Sequence, residues 1–97
     1  MNKNPKNTAK AVTTPDQFSR IGTMVRYHRK EGALSQSSLA DLAGVGKTVV
    51  FDVEKGKPTV QMDSLLKILS ALNISIDFTS PLMERFKKKQ EVSDEKR

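Results

Sequence analysis

Residues 35–57, SQSSLADLAGVGKTVVFDVEKGK, contain the pattern that decides how this chain folds. A short segment with apolar residues at helical spacing begins at Ser35 and ends at Gly44, after about two helical turns. A second short segment of the same kind follows directly, and Gly56 and Pro58 end it. The pattern predicts two short helices joined by a tight turn, in which Gly44 supplies the necessary backbone freedom.

The tripeptide Gly46-Lys47-Thr48 in this stretch is also how a phosphate-binding P-loop ends. A P-loop needs another glycine five residues before Gly46, but that position is Asp41, whose carboxylate would face the phosphates. The 97 residues are also few for the parallel strands and crossover helices of such a fold. Since no other catalytic constellation occurs in the sequence, we predict that this chain is not an enzyme.

Helical patterns flank this central pair of segments and predict an all-α fold. Residues 14–31 begin with a Thr-Pro helix start and are expected to form a first helix that Gly32 ends. Another helix is predicted at about residues 62–72. Its inward-facing residues are expected to be Leu65, Leu66, Ile68, Leu69 and Leu72. His28 is expected to be a half-buried packing residue of the first helix.

Residues 74–79 carry the alternation that indicates a half-buried strand, with apolar side chains at Ile74, Ile76 and Phe78. A lone strand leaves its backbone N–H and C=O groups unpaired. We therefore expect it to pair with the same strand of a second copy, which would make the protein a homodimer. The alternative is an extended linker laid on the core.

Positive charge lies mostly near the two ends of the chain, whose net charge is +6. Residues 1–13 are polar and basic, which predicts a disordered arm before a domain at residues 14–80. Residues 81–97 are predicted to form a charged flexible tail, with one or two helical turns at its start. A basic chain favours a polyanionic partner such as nucleic acid, although charged tails can also serve solubility alone.

The composition excludes several other classes of protein. The chain has no cysteine and a single histidine without a carboxylate cluster, so we predict neither a disulfide nor a metal site. No apolar run reaches the roughly 18 residues of a membrane span, and the N-terminus lacks the apolar region of a signal peptide. We therefore expect a cytoplasmic protein with no cofactor and no membrane partner.

The spacing of these residues resembles that of the XRE/Cro/cI-type helix-turn-helix domains, without a gap over residues 21–72. Three segments carry the resemblance: Ile21-Gly22-x-x-Val25-Arg26-x-x-Arg29, Leu34-Ser35-Gln36 and Val53-Glu54-Lys55-Gly56-Lys57. Within this family, the turn at residues 44–47, the loop at residues 56–60 and the predicted strand look most like HipB-type antitoxins. The resemblance implies a lambda-repressor-like bundle of four to five helices, with one C-terminal strand pairing across a dimer.

The resemblance also implies that the third helix lies in the DNA major groove. Lys47 and Thr48 at its start are the expected base readers, with Phe51 and Asp52 as further candidates. Phe51 either contacts a thymine methyl or sugar or fills a gap beside the second helix, and Asp52 could accept from cytosine N4. Phosphate contacts are expected from Ser35, Gln36, Lys55 and Lys57, and a partly buried structural ion pair from Arg29 and Glu54.

The function implied by the resemblance is that of a DNA-binding repressor that reads an inverted-repeat operator as a homodimer, associated with the nucleoid. A HipB-type antitoxin would in addition neutralise a HipA-type serine/threonine kinase toxin and regulate its own operon. The alternative is a stand-alone or phage-type XRE repressor with no toxin partner. The charged C-terminal tail is a candidate contact with either DNA or the toxin.

Overall fold

The computed structural model describes residues 14–96 of the chain, and within them the backbone forms five α-helices. The helices are α1 (Thr14–Glu31), α2 (Gln36–Ala43), α3 (Lys47–Glu54), α4 (Met62–Ala71) and α5 (Met83–Lys96). No β-strand occurs in this range, so the prediction of an all-α fold is confirmed. The predicted basic arm at residues 1–13 lies outside the described residues, as does Arg97.

Helices α1 to α4 surround one hydrophobic core. Helix α3 packs against α1 and α2, and α2 also packs against α4. Ala40 is buried between these helices, as expected for a small residue at a close approach. The buried apolar side chains are Val25, Leu39, Ala40, Val50, Val53, Ile68 and Leu69. Burial of Val50 and Val53 fixes which side of α3 faces inward, and therefore which side faces solvent.

The first four helices end in the same backbone arrangement, a Schellman motif with one left-handed residue. The left-handed residues are Ala33 (φ 57°), Gly44 (φ 74°), Gly56 (φ 81°) and Asn73 (φ 60°). At the end of α2, for example, the N–H of Val45 donates to the carbonyl of Ala40 at 3.0 Å. The first helix ends at Glu31, immediately before Gly32 as predicted, but the left-handed residue that follows it is Ala33 and not Gly32.

Gly22 allows α1 and α3 to approach each other closely. A Cβ atom at this position would lie 2.5 Å from the carbonyl oxygen of Val53 and 2.7 Å from that of Glu54. Both neighbours are backbone atoms, so they cannot move aside without shifting α3. The end of α3 is thus held against α1 at a distance that only glycine permits.

Two side chains face differently from the prediction. His28 is exposed because Arg29 takes the inward position on α1 instead. The Nδ1 atom of His28 donates to the carbonyl of Met24 at 2.7 Å. Leu66 is 43% exposed, although Ile68 and Leu69 on the same helix are buried. The apolar stripe of each helix is therefore narrower than the sequence predicted.

Residues 74–80 form no regular secondary structure, so the predicted strand is absent from the single chain. Ile76 is 45% exposed and Phe78 70% exposed, while Ile74 packs against the core. Among the described residues, the backbone N–H groups of residues 75–80 donate to no other backbone group. The physical reason is that a strand needs a second strand for these hydrogen bonds, and one copy of the chain does not provide it.

Helix α5 extends over Met83–Lys96, which is longer than the one or two turns that the sequence predicted. Glu, Arg, Lys and Gln are strong helix formers, so this composition favours a helix even with few apolar residues. Leu82 and Phe86 remain largely exposed. The segment at residues 74–80 separates this helix from α4.

Candidate DNA-binding surface

Helix α3 presents Lys47 and Thr48 to solvent in its first turn. Gly46 precedes them as the N-cap with ordinary extended backbone angles, so only Gly44 in this turn requires a left-handed conformation. Val50, less than one turn further along, is fully buried. The two polar residues are therefore held on a helix whose other side is anchored in the core.

The second helix begins at Ser35, as the sequence predicted, and Ser35 is its N-cap. Its side-chain oxygen accepts from the N–H of Ser38 at 2.9 Å, and its hydroxyl donates to that of Ser38 at 3.0 Å. A capping hydroxyl removes one of the unsatisfied backbone donors of the first turn. The helix start remains exposed, which leaves it open to a phosphate oxygen.

Arg29 and Glu54, the two residues that the resemblance assigns to an ion pair, form one in the structure. Arg29 Nε donates to Glu54 Oε2 at 2.6 Å, and Arg29 Nη2 donates to Oε1 at 3.0 Å. Arg29 Nη1 also donates to the carbonyl of Leu34 at 2.8 Å. The side chains are only 10% and 5% exposed, so this bidentate pair joins α1, the turn before α2 and the end of α3 away from bulk water.

The surroundings of this pair shift both pKa values in the direction that keeps it charged. Burial raises the pKa of Glu54, but hydrogen bonds from Arg29 and Gln36, together with the positive charges of Arg29 and Arg26, leave the pKa below its ordinary value. The hydrogen bond to Glu54 raises the pKa of Arg29. The charged pair is therefore the stable form at neutral pH.

Gln36 has a second role that the sequence did not reveal. Its Nε2 donates to Glu54 Oε1 at 3.1 Å, so the amide expected to meet a phosphate is bound to the ion pair in the DNA-free protein. The two residues are 18 positions apart, and no local spacing signals the contact. The structure thus connects the start of α2 directly to the end of α3.

Phe51 is 46% exposed and lies on the surface of α3 rather than in the core. The ammonium group of Lys55 lies 5.6 Å from the centre of its ring. The two residues are one helical turn apart, a spacing at which side chains meet, and a cation over an aromatic ring is a favourable contact. This surface therefore presents an aromatic ring and a positive charge side by side.

Asp52 and Lys57 form a second ion pair at the end of α3. Lys57 Nζ lies 3.6 Å from Asp52 Oδ2, and the two side chains are 54% and 25% exposed, respectively. The sequence predicted independent contacts with base and phosphate for these two residues, whereas the structure places them together. The Schellman motif explains why, because the N–H of Lys57 donates to the carbonyl of Asp52 at 3.0 Å.

The outward side of α3 therefore combines hydrogen-bond donors, an aromatic ring and a carboxylate on one short helix. Thr48 and Asp52 are one turn apart, as are Lys47 and Phe51, so each pair shares a face. An α-helix of this size fits the major groove of B-DNA. No group of three or more histidine or acidic residues able to hold a metal ion occurs within residues 14–96, and no helix there is long and apolar enough to cross a membrane.

Comparison with known proteins agrees with this geometry. The HTH_3 helix-turn-helix family model matches residues 25–78, which include α2, α3 and α4. An uncharacterized HTH-type transcriptional regulator of Sinorhizobium fredii, y4mF, is 45% identical to the chain over 73 residues, which cover 75% of this chain and 92% of the relative. The chain therefore belongs to the helix-turn-helix family HTH_3 and is a transcriptional regulator with a DNA-binding domain of that family.

Proposed function

We propose that this regulator is a repressor that recognises its operator by inserting α3 into the major groove. The observation that carries this proposal is the placement of Lys47 and Thr48 in the exposed first turn of a helix anchored by Val50 and Val53. In helix-turn-helix proteins the N-terminal residues of the recognition helix contact base edges. Lys47 can donate to guanine O6 or N7, and Thr48 offers both a hydroxyl and a methyl group.

Phosphate contacts are proposed on both sides of these base-reading residues. Ser35 and the exposed start of α2 offer an N-terminal anion site, and Lys55 and Lys57 add positive charge after α3. Gln36 can reach a phosphate only by leaving Glu54 or by turning its second amide hydrogen outward. These contacts position the protein on the duplex without reading its sequence.

A second copy of the chain is proposed to complete the DNA-binding unit. Residues 75–80 have backbone N–H groups that donate to no other backbone group within the described chain, and Ile76 and Phe78 lie exposed on alternate positions. Antiparallel pairing of this segment with itself across a twofold axis would satisfy the N–H groups of alternate residues. Two α3 helices about 34 Å apart would then read an inverted repeat, because this distance equals one turn of DNA and so separates the two half-sites by one turn.

The proposal is tested by selecting bound sequences from a random pool of duplex DNA and footprinting the protein on the selected site. Lys47→Ala and Thr48→Ala should each relax the preference at one base position, at a cost of about 1 to 3 kcal/mol on the preferred site. Lys67→Ala, an exposed lysine on α4, serves as the control for loss of a positive charge. Unchanged binding of the selected site by both α3 variants would show that α3 is not the reader.

We also propose that the repressor is a HipB-type antitoxin that neutralises a HipA-type serine/threonine kinase and regulates its own operon in the cytoplasm. The support is the likeness of residues 44–47 and 56–60 to that branch of the family. The test is to purify the tagged chain from its native cells and to identify both the bound DNA and the bound protein. A co-purified kinase encoded beside this gene is the expected result, and bound DNA without a kinase would identify a stand-alone repressor.

A further inference from the structure

The ion pair between Asp52 and Lys57 is built into the end of α3. Gly56 adopts the left-handed conformation at φ 81°, and its N–H donates to the carbonyl of Val53 at 3.0 Å. The chain therefore reverses direction, and Lys57 is brought back beside Asp52 with its Nζ 3.6 Å from the carboxylate. The shape of the helix end brings the two residues close together, and the lysine side chain then reaches the carboxylate.

This contact competes with DNA for Lys57. A lysine after the recognition helix is available to the phosphate backbone only to the extent that its ammonium group is not held elsewhere. While Lys57 is paired with Asp52, its positive charge is neutralised and contributes little to DNA binding. When a phosphate binds Lys57 instead, the carboxylate of Asp52 loses its partner. If Lys57 contacts the DNA phosphate backbone and Asp52 gains no new partner, the Asp52–Lys57 pair is therefore lost without replacement.

In the major groove, a base edge can offer Asp52 a replacement partner. It lies one turn after Thr48 on the same face of α3, and its side chain remains 25% exposed. In the major groove, the N4 amino group of cytosine is the donor that suits a carboxylate. A cytosine at this position of the site would satisfy Asp52 and free Lys57 for a phosphate.

We propose that Asp52 is a specificity-determining residue that makes the phosphate contact of Lys57 conditional on a cytosine. On DNA that lacks the cytosine, Asp52 retains Lys57 and lowers the affinity. On DNA that has it, Asp52 accepts from cytosine N4 and Lys57 binds the backbone. This inference rests on the proposed function, because it requires α3 to lie in the major groove.

The first experiment measures binding of the full chain to a fluorescent random-sequence duplex over a range of salt concentrations. Because the pair is partly exposed and modest in strength, Asp52→Asn should raise affinity for this duplex by about two- to fivefold per protomer. The freed phosphate contact should also steepen the slope of log K against log salt by up to about 0.9 per protomer. Asp63→Asn, at an exposed acid that forms no ion pair among the described residues, is the control for loss of a negative charge.

A double-mutant cycle shows whether Asp52 acts through Lys57 or by simple repulsion of DNA. In a Lys57→Gln background, Asp52→Asn should change affinity no more than the Asp63→Asn control does. An equal gain in both backgrounds would overturn the proposal, and so would the absence of any gain from Asp52→Asn in the wild-type background.

Selection of preferred sequences tests the cytosine. The wild type should prefer cytosine at one position of each half-site. Asp52→Ala, which removes the acceptor, should lose that preference while the positions read by Lys47 and Thr48 stay unchanged. Retention of the same cytosine by the variant would overturn the proposal. If the wild type selects no sequence at all, the proposed function fails, whereas the random-duplex cycle still decides whether Asp52 restrains Lys57.

Discussion

Arg29 Nε lies 2.6 Å from Glu54 Oε2, and this pair links the end of α1 to the end of α3 across 25 positions of sequence. The same guanidinium holds the carbonyl of Leu34, and the same carboxylate accepts from Gln36. The pair therefore fixes the position of α3 relative to α1 and to the start of α2. The orientation of the residues proposed to face DNA depends on this nearly buried contact.

Replacement of Arg29 by methionine should destabilise the domain strongly. The substitution leaves Glu54 charged and nearly buried without its partner, and loss of one member of a buried pair costs about 3 to 5 kcal/mol. Urea unfolding followed by circular dichroism measures the effect. Arg20→Met, at an exposed position on α1, should change stability by less than about 0.5 kcal/mol. Equal stability of the two variants would contradict a structural role for the pair.

Acid should weaken the domain through Glu54. Its pKa in the folded protein lies below the ordinary value of 4.5, so its contribution is fully present above that pH. The contribution is lost as the pH falls through the lowered pKa. The stability difference between wild type and Glu54→Gln, from urea unfolding between pH 7 and pH 3, should therefore shrink below about pH 4.5. A difference that stays constant over this range would show that Glu54 does not titrate as described.

Gly22→Ala should destabilise the domain because the added methyl group has no space. Its Cβ would lie 2.5 Å from the carbonyl oxygen of Val53, and α3 would have to shift. Overpacking of this kind costs about 1 to 3 kcal/mol, even though alanine is the better helix former. Thr23→Ala, at the exposed neighbouring position, is the matched control in thermal unfolding. A Gly22→Ala variant as stable as the control would mean that α1 and α3 do not touch at this point.

The helices and the site could be predicted from sequence to different extents. The bounds of α2 and α3 follow from local signals, since Ser35 caps one helix and Gly44 and Gly56 end both. The contact between Gln36 and Glu54 could not be predicted, because it depends on how two helices lie in space. The pairing of Asp52 with Lys57 has a local signal in the sequence, which is the five-residue spacing of the two residues around Gly56.

The strand predicted at residues 74–79 is absent from the single chain for a different reason. Alternation at residues 74–79 describes which side chains share a face, but it does not supply the partner that a strand needs. The partner, if it is a second copy, lies outside the single chain. The charge-rich composition after Pro81 predicted a flexible tail. Many of these residues are strong helix formers, however, and the segment forms the helix Met83–Lys96.

Ala33→Gly should stabilise the domain. Ala33 adopts φ 57° at the end of α1, a left-handed conformation that its Cβ disfavours and that glycine adopts freely. We expect a gain of about 0.5 to 1 kcal/mol in unfolding free energy. The reverse change, Gly44→Ala at φ 74°, should cost about 1 kcal/mol by the same reasoning. A loss of stability in Ala33→Gly would contradict the assignment of Ala33 as a strained helix end.

The proposed homodimer predicts that Ile76→Lys makes the protein monomeric, as measured by gel filtration with light scattering at micromolar concentration. If residues 74–79 pair across a twofold axis, Ile76 and Phe78 lie on the face that is buried between the two copies, and a lysine there would be desolvated. Ser75→Lys is the matched control, because the side chains of successive strand residues point to opposite faces. Asp77→Pro tests the backbone itself, since it removes an N–H without changing the apolar face. Pairing through this segment predicts that Ile76→Lys is monomeric and Ser75→Lys dimeric; a wild type that is monomeric under these conditions would rule it out.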